Sequence, residues 1–331
     1  MKIAIVKLSA LGDIVHSMVV LQFIKNHYQQ IEIDWVVDER YKELLESHPD
    51  INRVHIVNIK KAKQKKSFFL LLKELGKVRK LGPYDLVIDM QGLIKSAVIS
   101  RLIPSTITLG FDKNSIRESI ASILYNRTFK YGYGNNVINR NFELMKFALN
   151  LPFHNKEIHH KLPFLFPSKE NLISSLSSIK KNIILIPGAS HSSKRYPFES
   201  FAKLTYLLDA NYLIVWGSVE EKLLAEKIKN LAPHVTLCGK LSIEGLIDLV
   251  SQSNLIIGPD TGPTHMAWAL NVPSITLFGP TPGHRNTMVT SNNKIIESKS
   301  EVNPYRINKN DHSIRDISVD EIAKLAKSLL Y

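Results

Sequence analysis

The sequence predicts an α/β fold of two domains, each a doubly wound parallel sheet with helices on both faces. At 331 residues the chain is longer than one hydrophobic core usually supports. Short β-branched runs alternate with segments of helical apolar spacing, which is typical of a parallel sheet covered by helices. The alternation breaks at 151–180, where prolines and serines indicate a linker with a short helix, and then restarts. We therefore expect an N-terminal domain at 1–165 and a C-terminal domain at 166–331.

The first domain opens on a buried strand, because residues 2–7 form a short β-branched run that ends in Ser-Ala-Leu-Gly. Apolar residues between 14 and 24 follow helical rather than alternating spacing, which predicts a helix after that loop. The same criteria predict strands at 31–37, 53–57, 86–89 and 107–110, and helices near 40–47, 68–80, 93–102, 115–124 and 138–149.

The second domain repeats this alternation of strands and helices. Strands are predicted at 183–187, 212–216, 235–237, 255–258 and 274–278, and helices at 198–208, 219–231, 243–251 and 262–270. A closing helix is predicted after Ser318, because Asp320 and Glu321 suit the first turn of a helix. A cleft between two such halves, at the carboxyl ends of the strands, is a common ligand site, so we expect the chemistry in those loops.

The composition is that of an ordinary globular protein, with 44% hydrophobic and 22% charged residues. It excludes a disordered chain, a collagen-like chain and a coiled coil, and no apolar run approaches the ~18 residues of a membrane span. One cysteine, Cys238, cannot form an internal disulfide, which favours a reducing cytoplasm. The net charge of +13 attracts polyanions: nucleic acid, an anionic membrane surface or a phosphorylated substrate.

Positive charge is densest at 60–80, where nine basic residues accompany a single acid, Glu74. A solvated helix face explains most lysine runs. This run adjoins the apolar stretch 68–72, Phe-Phe-Leu-Leu-Leu, so it suits an amphiphile with a charged head group at least as well as it suits DNA.

The loop after the first strand reads Leu-Ser-Ala-Leu-Gly-Asp and leads into a helix. Small residues and Gly12 let a ligand approach the backbone there, although the G-x-G-x-x-G fingerprint is absent. Asp13 has two interpretations: a helix N-cap, which its residue type favours, or a carboxylate that accepts a proton from an incoming hydroxyl.

The strongest signal is the segment 255–280, in which a buried strand ends in Gly-Pro-Asp-Thr-Gly and a helix follows. Thr261 and Gly262 place free N–H groups and the positive end of a helix there, which suits a phosphate. Asp260 is poorly placed against a diphosphate, so we expect it to contact a hydroxyl-rich part such as a sugar. His265 lies one turn inside the helix, where a lone histidine is more often packed than ligand-bound.

Two further loops belong to this site. The loop after residue 187 is rich in small hydroxyl residues and ends in Lys194 and Arg195, which suits pyrophosphate; a solvated lysine is the alternative. After the next predicted strand, Glu220 and Glu221 offer a carboxylate for both hydroxyls of a ribose, or simply acids for a first helical turn. Walker A, HExxH, CxxC, GxSxG and Asp-x-Asp patterns are absent, so helix ends and cations would stabilise a diphosphate leaving group.

Together these residues resemble the ADP-heptose:lipopolysaccharide heptosyltransferases of glycosyltransferase family 9, from residue 1 to the closing helix. The resemblance is carried by KLSALGDIVHS (7–17), IDMQGLIKSA (88–97), SIRESIASILYNR (115–127), WGSVEE (216–221), GKLSIEG (239–245) and GPDTGPTHMAWAL (258–270). It implies the GT-B architecture: two Rossmann-like domains, an interdomain cleft, and a final helix at 318–331 that packs back toward the N-terminal domain. It also implies an inverting, metal-independent transferase without a cofactor.

Position by position, the resemblance implies that Asp13 is the general base. It implies donor contacts through Lys194 on the phosphates, Glu221 on the ribose, Leu241 against the nucleoside and Asp260 on heptose hydroxyls, with Ser190, Thr261, Gly262 and His265 around them. Ala189-Ser190 stands where some members carry adjacent threonines, which leaves one hydroxyl in place of two. Acceptor contacts are implied for Ser9, Gly12, Lys60, Lys61, Lys63, Gln91, Lys95 and Arg117.

The resemblance implies heptose transfer from ADP-L-glycero-β-D-manno-heptose to Kdo of Kdo-lipid A, the first heptose of the lipopolysaccharide inner core. IDMQGLIKSA and the WVVDE of 35–39 are most like the enzymes that add it, and addition of a later heptose is the alternative. It further implies a cytoplasmic enzyme, peripheral on the anionic inner membrane, with no nucleic-acid partner. A non-catalytic nucleic-acid- or membrane-binding module would explain the charge but not the loops at 187–195 and 258–262; a nicotinamide oxidoreductase is a third candidate.

Overall fold

The computed structural model describes residues 1–167 and 175–331, which separate into two compact units, Met1–Phe164 and Leu165–Tyr331. Each unit contains one sheet of six strands, and every strand pair in both sheets is parallel. The prediction of two parallel-sheet α/β domains is therefore confirmed.

The sheet of the first unit has the strand order β3-β2-β1-β4-β5-β6, the order of dinucleotide-binding folds. Its strands are β1 (Lys2–Val6), β2 (Glu32–Val37), β3 (Arg53–Ile56), β4 (Tyr84–Asp89), β5 (Ser105–Phe111) and β6 (Arg127–Phe129). Its helices are α1 (Leu11–Met18), α2 (Val20–His27), α3 (Glu43–Glu46), α4 (Ile59–Gln64), α5 (Phe68–Val78), α6 (Ile94–Leu102) and α7 (Val137–Leu149), with 3-10 helices at Glu39–Tyr41, Ser119–Leu124 and Asn155–His160.

The sheet of the second unit repeats this topology in the order β12-β11-β10-β7-β8-β9. Its strands are β7 (Asn182–Leu185), β8 (Asn211–Ile214), β9 (Thr236–Leu237), β10 (Leu255–Pro259), β11 (Ser274–Phe278) and β12 (Asn293–Glu297). Its helices are α8 (Phe198–Leu204), α9 (Val219–Leu231), α10 (Ile243–Ser251), α11 (Gly262–Ala269), α12 (Gly283–Asn286) and α13 (Val319–Leu330), with 3-10 helices at Ser192–Lys194 and Ser313–Asp316.

The central strands are buried on both faces, which explains their continuous apolar sequences. In β1, Ile3, Ala4, Ile5 and Val6 are fully buried, and every residue of β10 and β11 is buried as well. Registers such as Val6 opposite Val36 and Asp89 bring the carboxyl ends of neighbouring strands to one edge. The loops that carry the predicted chemistry follow those ends.

Short elements account for most of the wrong or missed assignments. The edge strands β6 and β12 and the short helices α4 and α12 were not predicted, because three to six residues carry too little periodicity. The helix predicted at 115–124 is a 3-10 helix over Ser119–Leu124 alone, and the helix predicted from 14 to 24 is the pair α1 and α2.

Two predicted elements remain, the linker at 151–180 and the closing helix. The predicted linker contains the 3-10 helix Asn155–His160, while residues 168–174, where the predicted short helix would continue, lie outside the described part of the chain. In α13, Ile322, Ala323 and Ala326 pack into the core of the second unit. Packing of this helix toward the N-terminal domain, and the interdomain cleft, stay predictions.

Candidate functional site

Asp13 is the third residue of α1, and its exposed side chain follows the carboxyl end of β1. The N-cap of α1 is Ala10, so the prediction that Asp13 is the N-cap is wrong, but Asp13 does cap the helix from position N3. Asp13 Oδ2 accepts one hydrogen bond from the N–H of Ala10 at 3.2 Å, and Oδ1 has no partner among the residues that the structure describes. One backbone donor thus orients the carboxylate while its second oxygen stays open to a proton donor.

Three of the predicted acceptor residues meet beside this loop, because β1 and β4 are neighbours in the sheet. Gln91 Nε2 donates to Ser9 Oγ at 3.4 Å, and Lys95 Nζ donates to the same oxygen at 3.3 Å. Gln91 Oε1 accepts from the N–H of Leu8 at 2.8 Å, which ties the two loops together. Gly12 lies half-buried in the first turn of α1. We call Ser9, Gln91 and Lys95 the Ser9 cluster.

A buried carboxylate that the sequence analysis assigned no role holds the Ser9 cluster in place. Asp89 Oδ1 accepts the N–H groups of Gln91 (2.8 Å) and Gly92 (3.1 Å), and Oδ2 accepts the hydroxyl of Tyr125 (2.8 Å). Burial raises the pKa of Asp89, and these hydrogen bonds oppose the rise. Gly92 has a φ of 67°, and a side chain there would collide with Ile116, so this loop requires glycine.

The remaining basic acceptor candidates are exposed and lie in two places of the first unit. Arg117 precedes Glu118, whose carboxylate accepts the first N–H of α6 at 2.8 Å, so its chain segment is tied to the helix that carries Lys95. No ion pair or hydrogen bond within the described part of the chain joins the α4 lysines to the Ser9 cluster. Those lysines are Lys60, Lys61 and Lys63.

In the second unit, the carboxylate of Asp260 lies at the centre of a buried polar network. Lys194 Nζ donates to Asp260 Oδ2 and to the backbone oxygen of Asp260, both at 2.7 Å. His265 Nε2 donates to Asp260 Oδ1 at 2.9 Å. Sequence reasoning missed Thr281 and Asn286, which each donate to Oδ2 at 3.2 Å. Thr281 follows β11 at the same edge as Asp260, and that position after a strand end is the signal that could have identified it.

These partners decide the charge of Asp260. Burial opposes ionisation, but the ammonium of Lys194 and the hydrogen bond from His265 outweigh it and hold the pKa of Asp260 well below its usual range. Lys194 is itself buried, so the alternative interpretation of a solvated lysine is wrong. Two of the three ammonium N–H groups go to Asp260, which leaves one for a ligand.

The start of α11 adds backbone donors to this network. Thr261 is the N-cap and Gly262 the first helical residue, followed by Pro263. Thr264 Oγ1 donates to the backbone oxygen of Pro259 at 2.9 Å, which locks the turn between β10 and α11. Because the first N–H groups of a helix have no intrahelical partner, this turn presents donors and a positive dipole end next to Lys194 and Asp260.

Glu221 serves as a helix cap and also lies against the loop after β7. Its Oε2 accepts the N–H groups of Gly217 (2.7 Å) and Ser218 (3.1 Å), while Ser218 Oγ accepts the N–H of Glu221 at 3.2 Å. This reciprocal pair is a capping box. A side chain on Gly188 would collide with the carboxylate, so Glu221 fits against that glycine. Its Oε1 has no hydrogen-bond partner in the described residues, which keeps the ribose interpretation open.

The other two donor candidates lie in the loop after β7 and in the loop after β9. Ser190 is exposed in the loop after β7, and Leu241 is half-buried just before α10. Arg195 donates to Glu220 Oε1 at 2.7 Å and to the backbone oxygen of Ala189 at 3.3 Å, which ties the loop after β7 to the first turn of α9. Arg195 and Glu220 therefore position this loop.

The two units offer complementary chemistry. The first presents an exposed carboxylate with a free oxygen, suited to accept a proton, beside a cluster that contains the cation of Lys95. The second presents a buried cation with a spare N–H, a helix N-terminus and a free carboxylate oxygen on Glu221. That set suits an anionic ligand with hydroxyl groups, such as a nucleoside diphosphate linked to a sugar.

Comparisons with known proteins agree with this chemistry. Residues 71–312 match the model of glycosyltransferase family 9 (heptosyltransferase). Lipopolysaccharide heptosyltransferase 1 of Campylobacter coli is 40% identical over 99% of this chain and 99% of its own. The protein of the same name from Pseudomonas aeruginosa is 29% identical, over 86% of this chain and 80% of its own.

A solved structure shows the same fold. The structure of the E. coli heptosyltransferase WaaC with ADP superposes with a TM-score of 0.81 at 24% identity, covering 99% of this chain and 100% of that chain. This likeness supports the predicted GT-B class. Asp13 precedes the segment matched by the family model but lies within the alignment to the Campylobacter coli relative.

Proposed function

This chain belongs to glycosyltransferase family 9, the heptosyltransferases, and we propose that it transfers heptose from ADP-heptose to Kdo of Kdo-lipid A. The observation that carries the proposal is the Lys194–Asp260–His265 network at the start of α11, which provides a cation and helix-end donors for a sugar diphosphate. Membership of this family rejects the non-catalytic module and the oxidoreductase. The 40% identical relative named heptosyltransferase 1 favours addition of the first heptose over a later one.

In the proposed mechanism, Asp13 acts as the general base. Its Oδ1 takes the proton of the Kdo hydroxyl as that oxygen attacks the anomeric carbon of the heptose. The new carbon–oxygen bond forms on the face opposite the diphosphate, the bond to the diphosphate oxygen breaks, and ADP leaves with the electron pair. Configuration at the anomeric carbon is therefore inverted. The open Oδ1 and the single backbone bond to Oδ2 support this role.

The second unit binds the donor and stabilises the leaving group. Lys194 directs its third N–H to the diphosphate, and the N–H groups at the start of α11 share the charge that develops there. Asp260 holds Lys194 in position and offers oxygen to the heptose hydroxyls. Glu221 Oε1 accepts hydroxyls of the ribose, and Leu241 packs against the nucleoside.

The decisive experiment is incubation of the protein with ADP-heptose and Kdo-lipid A. We expect ADP release together with a mass gain of one heptose on the acceptor. An acceptor that already carries its first heptose serves as the comparison. A mass gain on that acceptor alone would instead assign the chain to addition of a later heptose, and ADP release without a mass gain would reject transfer.

The two roles of Glu221 predict different outcomes for two variants. Glu221→Gln keeps an N3 side chain that can complete the capping box, but loses the charge that would hold the ribose hydroxyls. Its KM for ADP-heptose is expected to rise about tenfold, since a hydrogen bond to a charged group contributes about 1.5–3 kcal/mol. Ser218→Ala is the matched control, expected to lose about 1 kcal/mol of stability with an unchanged donor KM. Steady-state kinetics and denaturant unfolding of both variants distinguish the two roles. An unchanged donor KM in Glu221→Gln would show that Glu221 caps the helix and does not bind the ribose.

The exposed basic residues of the first unit are proposed to meet the acidic groups of the acceptor. Neutralising Lys60, Lys61, Lys63 and Arg117 together is expected to raise the acceptor KM about tenfold, because each exposed ion pair contributes about 0.2–1 kcal/mol. The donor KM should not change. Kinetics with a deacylated, water-soluble Kdo acceptor measures this contribution without a membrane.

A matched control removes lysines from the second unit. Lys203, Lys299, Lys324 and Lys327 are exposed there, and replacing these four with Gln lowers the net charge equally while leaving the first unit intact. An equal rise of the acceptor KM in this control would assign the effect to net charge, and a rise of both KM values would assign it to general damage.

The proposed acceptor is a membrane lipid, so we infer that the enzyme is peripheral on the cytoplasmic face of the inner membrane. None of the helices that the structure describes has the length and apolar content needed to cross a bilayer. The net charge of +13 and the exposed lysines of α4 support attachment to an anionic surface.

A further inference from the structure

One face of the first unit carries apolar side chains that its core does not use. In α5, Phe68 is 71% exposed, Phe69 is 75% exposed and Leu72 is 51% exposed. The buried residues of this helix are Glu74 and Val78, both in its second half. The first turns of α5 therefore form an exposed apolar patch on the surface of this unit.

Positively charged residues directly precede this apolar patch in the sequence. Helix α4 packs against α5, and the segment from α4 to the start of α5 carries five exposed lysines without an acidic residue. None of them forms an ion pair within the described part of the chain. We call the following residues the α4–α5 surface: Lys60, Lys61, Lys63, Lys65, Lys66, Phe68, Phe69 and Leu72.

The topology places the α4–α5 surface and the Ser9 cluster at the same end of the first sheet, where the strands have their carboxyl ends. The chain leaves β3 at that end, and α5 must run back to the amino ends of the strands before β4 begins. The exposed first turns of α5 therefore lie near the carboxyl ends of the strands. Right-handed crossovers from β3 to β4 and from β4 to β5 put α4, α5 and α6 on one face. Helix α6, which carries Lys95, packs against α5.

We propose that the α4–α5 surface is an interfacial anchor that inserts Phe68, Phe69 and Leu72 into an anionic bilayer. The lysines of α4 would contact the lipid phosphates while the apolar side chains enter the acyl boundary. Lysines next to exposed phenylalanine and leucine side chains are typical of interfacial membrane binding. Protein–protein interfaces are instead depleted in lysine, which argues against a protein partner on this surface.

This anchor deepens the proposed function, because it names the partner that brings the acceptor side of the enzyme to its lipid. An insertion of α5 at the carboxyl edge would bring the Ser9 cluster and Asp13 toward the membrane surface, where the head group of a lipid acceptor is accessible. The acceptor contacts proposed for Lys60, Lys61 and Lys63 involve no apolar residue. The anchor gives the apolar residues of the α4–α5 surface a role of their own.

The test is sedimentation of the full chain with vesicles that contain no acceptor. We expect binding to vesicles of phosphatidylglycerol and phosphatidylethanolamine, and much weaker binding to vesicles of phosphatidylcholine alone. Replacing Phe68 and Phe69 with Ser is expected to weaken partitioning at least about tenfold, since two large apolar side chains would no longer be buried. Both positions are exposed, so the variant should keep its fold.

A matched control changes exposed leucines outside this surface. Leu223 and Leu231 are 55% and 49% exposed on α9 of the second unit, and replacing both with Ser should leave vesicle binding unchanged. Equal binding of the Phe68/Phe69 variant and the wild type would overturn the proposal, as would no binding of the wild type to anionic vesicles. Self-association of the wild type that the same variant abolishes, without vesicle binding, would make this surface an interface between copies.

A second measurement separates the anchor from the transferase activity. With a deacylated, soluble Kdo acceptor, the Phe68/Phe69 variant is expected to keep wild-type kcat and KM, and with Kdo-lipid A in anionic vesicles its rate should fall about tenfold. Loss of activity on both acceptors would overturn the anchor as the cause. Absence of ADP release by the wild type on either acceptor would instead reject the proposed function, whatever the vesicle binding shows.

Discussion

Replacing Asp13 with Asn is expected to lower kcat by about 10²- to 10⁴-fold, the usual contribution of a general base. The amide oxygen of Asn can still accept the N–H of Ala10, so the first turn of α1 should be preserved. What the substitution removes is the ability of the free oxygen to take a proton. Donor binding involves the second unit, so the affinity for ADP-heptose should stay near that of the wild type.

The measurement pairs turnover with donor binding. Initial rates with Kdo-lipid A give kcat, and calorimetry with ADP gives the affinity of the second unit for its ligand. Asp85→Asn is the matched control, because Asp85 is an exposed carboxylate near the opposite end of β4 that accepts the N–H of Lys2 at 2.7 Å. Near-normal turnover of Asp13→Asn would show that Asp13 is not the general base and only orients the start of α1.

The positions of the candidate residues in both units could be predicted from the sequence, because the carboxyl ends of parallel strands lie at the same end of a sheet. Lys194, Glu221 and Asp260 follow β7, β8 and β10, three neighbours in the second sheet. Ser9 and Gln91 follow β1 and β4 in the same way. The sequence shows where each strand ends, and the sheet order then decides which loops meet.

The internal pairing of the site could not be predicted in this way. Lys194 and Asp260 are 66 residues apart, so no local spacing relates them, and the sequence suggested a phosphate for one and a sugar for the other. Their contact depends on β7 and β10 being adjacent, which is a property of the whole sheet. The position of Asp13 at N3 rather than at the N-cap likewise depends on where α1 begins, and residue preferences fix helix ends poorly.

Removing the charges of the Lys194–Asp260 pair is expected to lower kcat/KM for ADP-heptose by about 10²- to 10³-fold, the effect of losing a preorganised charge at the leaving group. Lys194→Ala alone would be a poor test. It leaves the ionised carboxylate of Asp260 buried without its cation, which costs about 3–5 kcal/mol and can unfold the second unit. The informative variant combines Lys194→Met with Asp260→Asn, which removes both charges at similar volume.

The double variant should lose catalytic efficiency but keep its thermal stability. Replacing a buried ion pair by neutral groups of similar size is often close to neutral for stability, so the thermal midpoint should stay near that of the wild type. Lys180→Met with Asp209→Asn removes an exposed ion pair of the same unit and is expected to keep wild-type kinetics. If the buried double variant also kept wild-type kcat/KM and ADP affinity, the Lys194–Asp260 pair would have no role in binding the diphosphate.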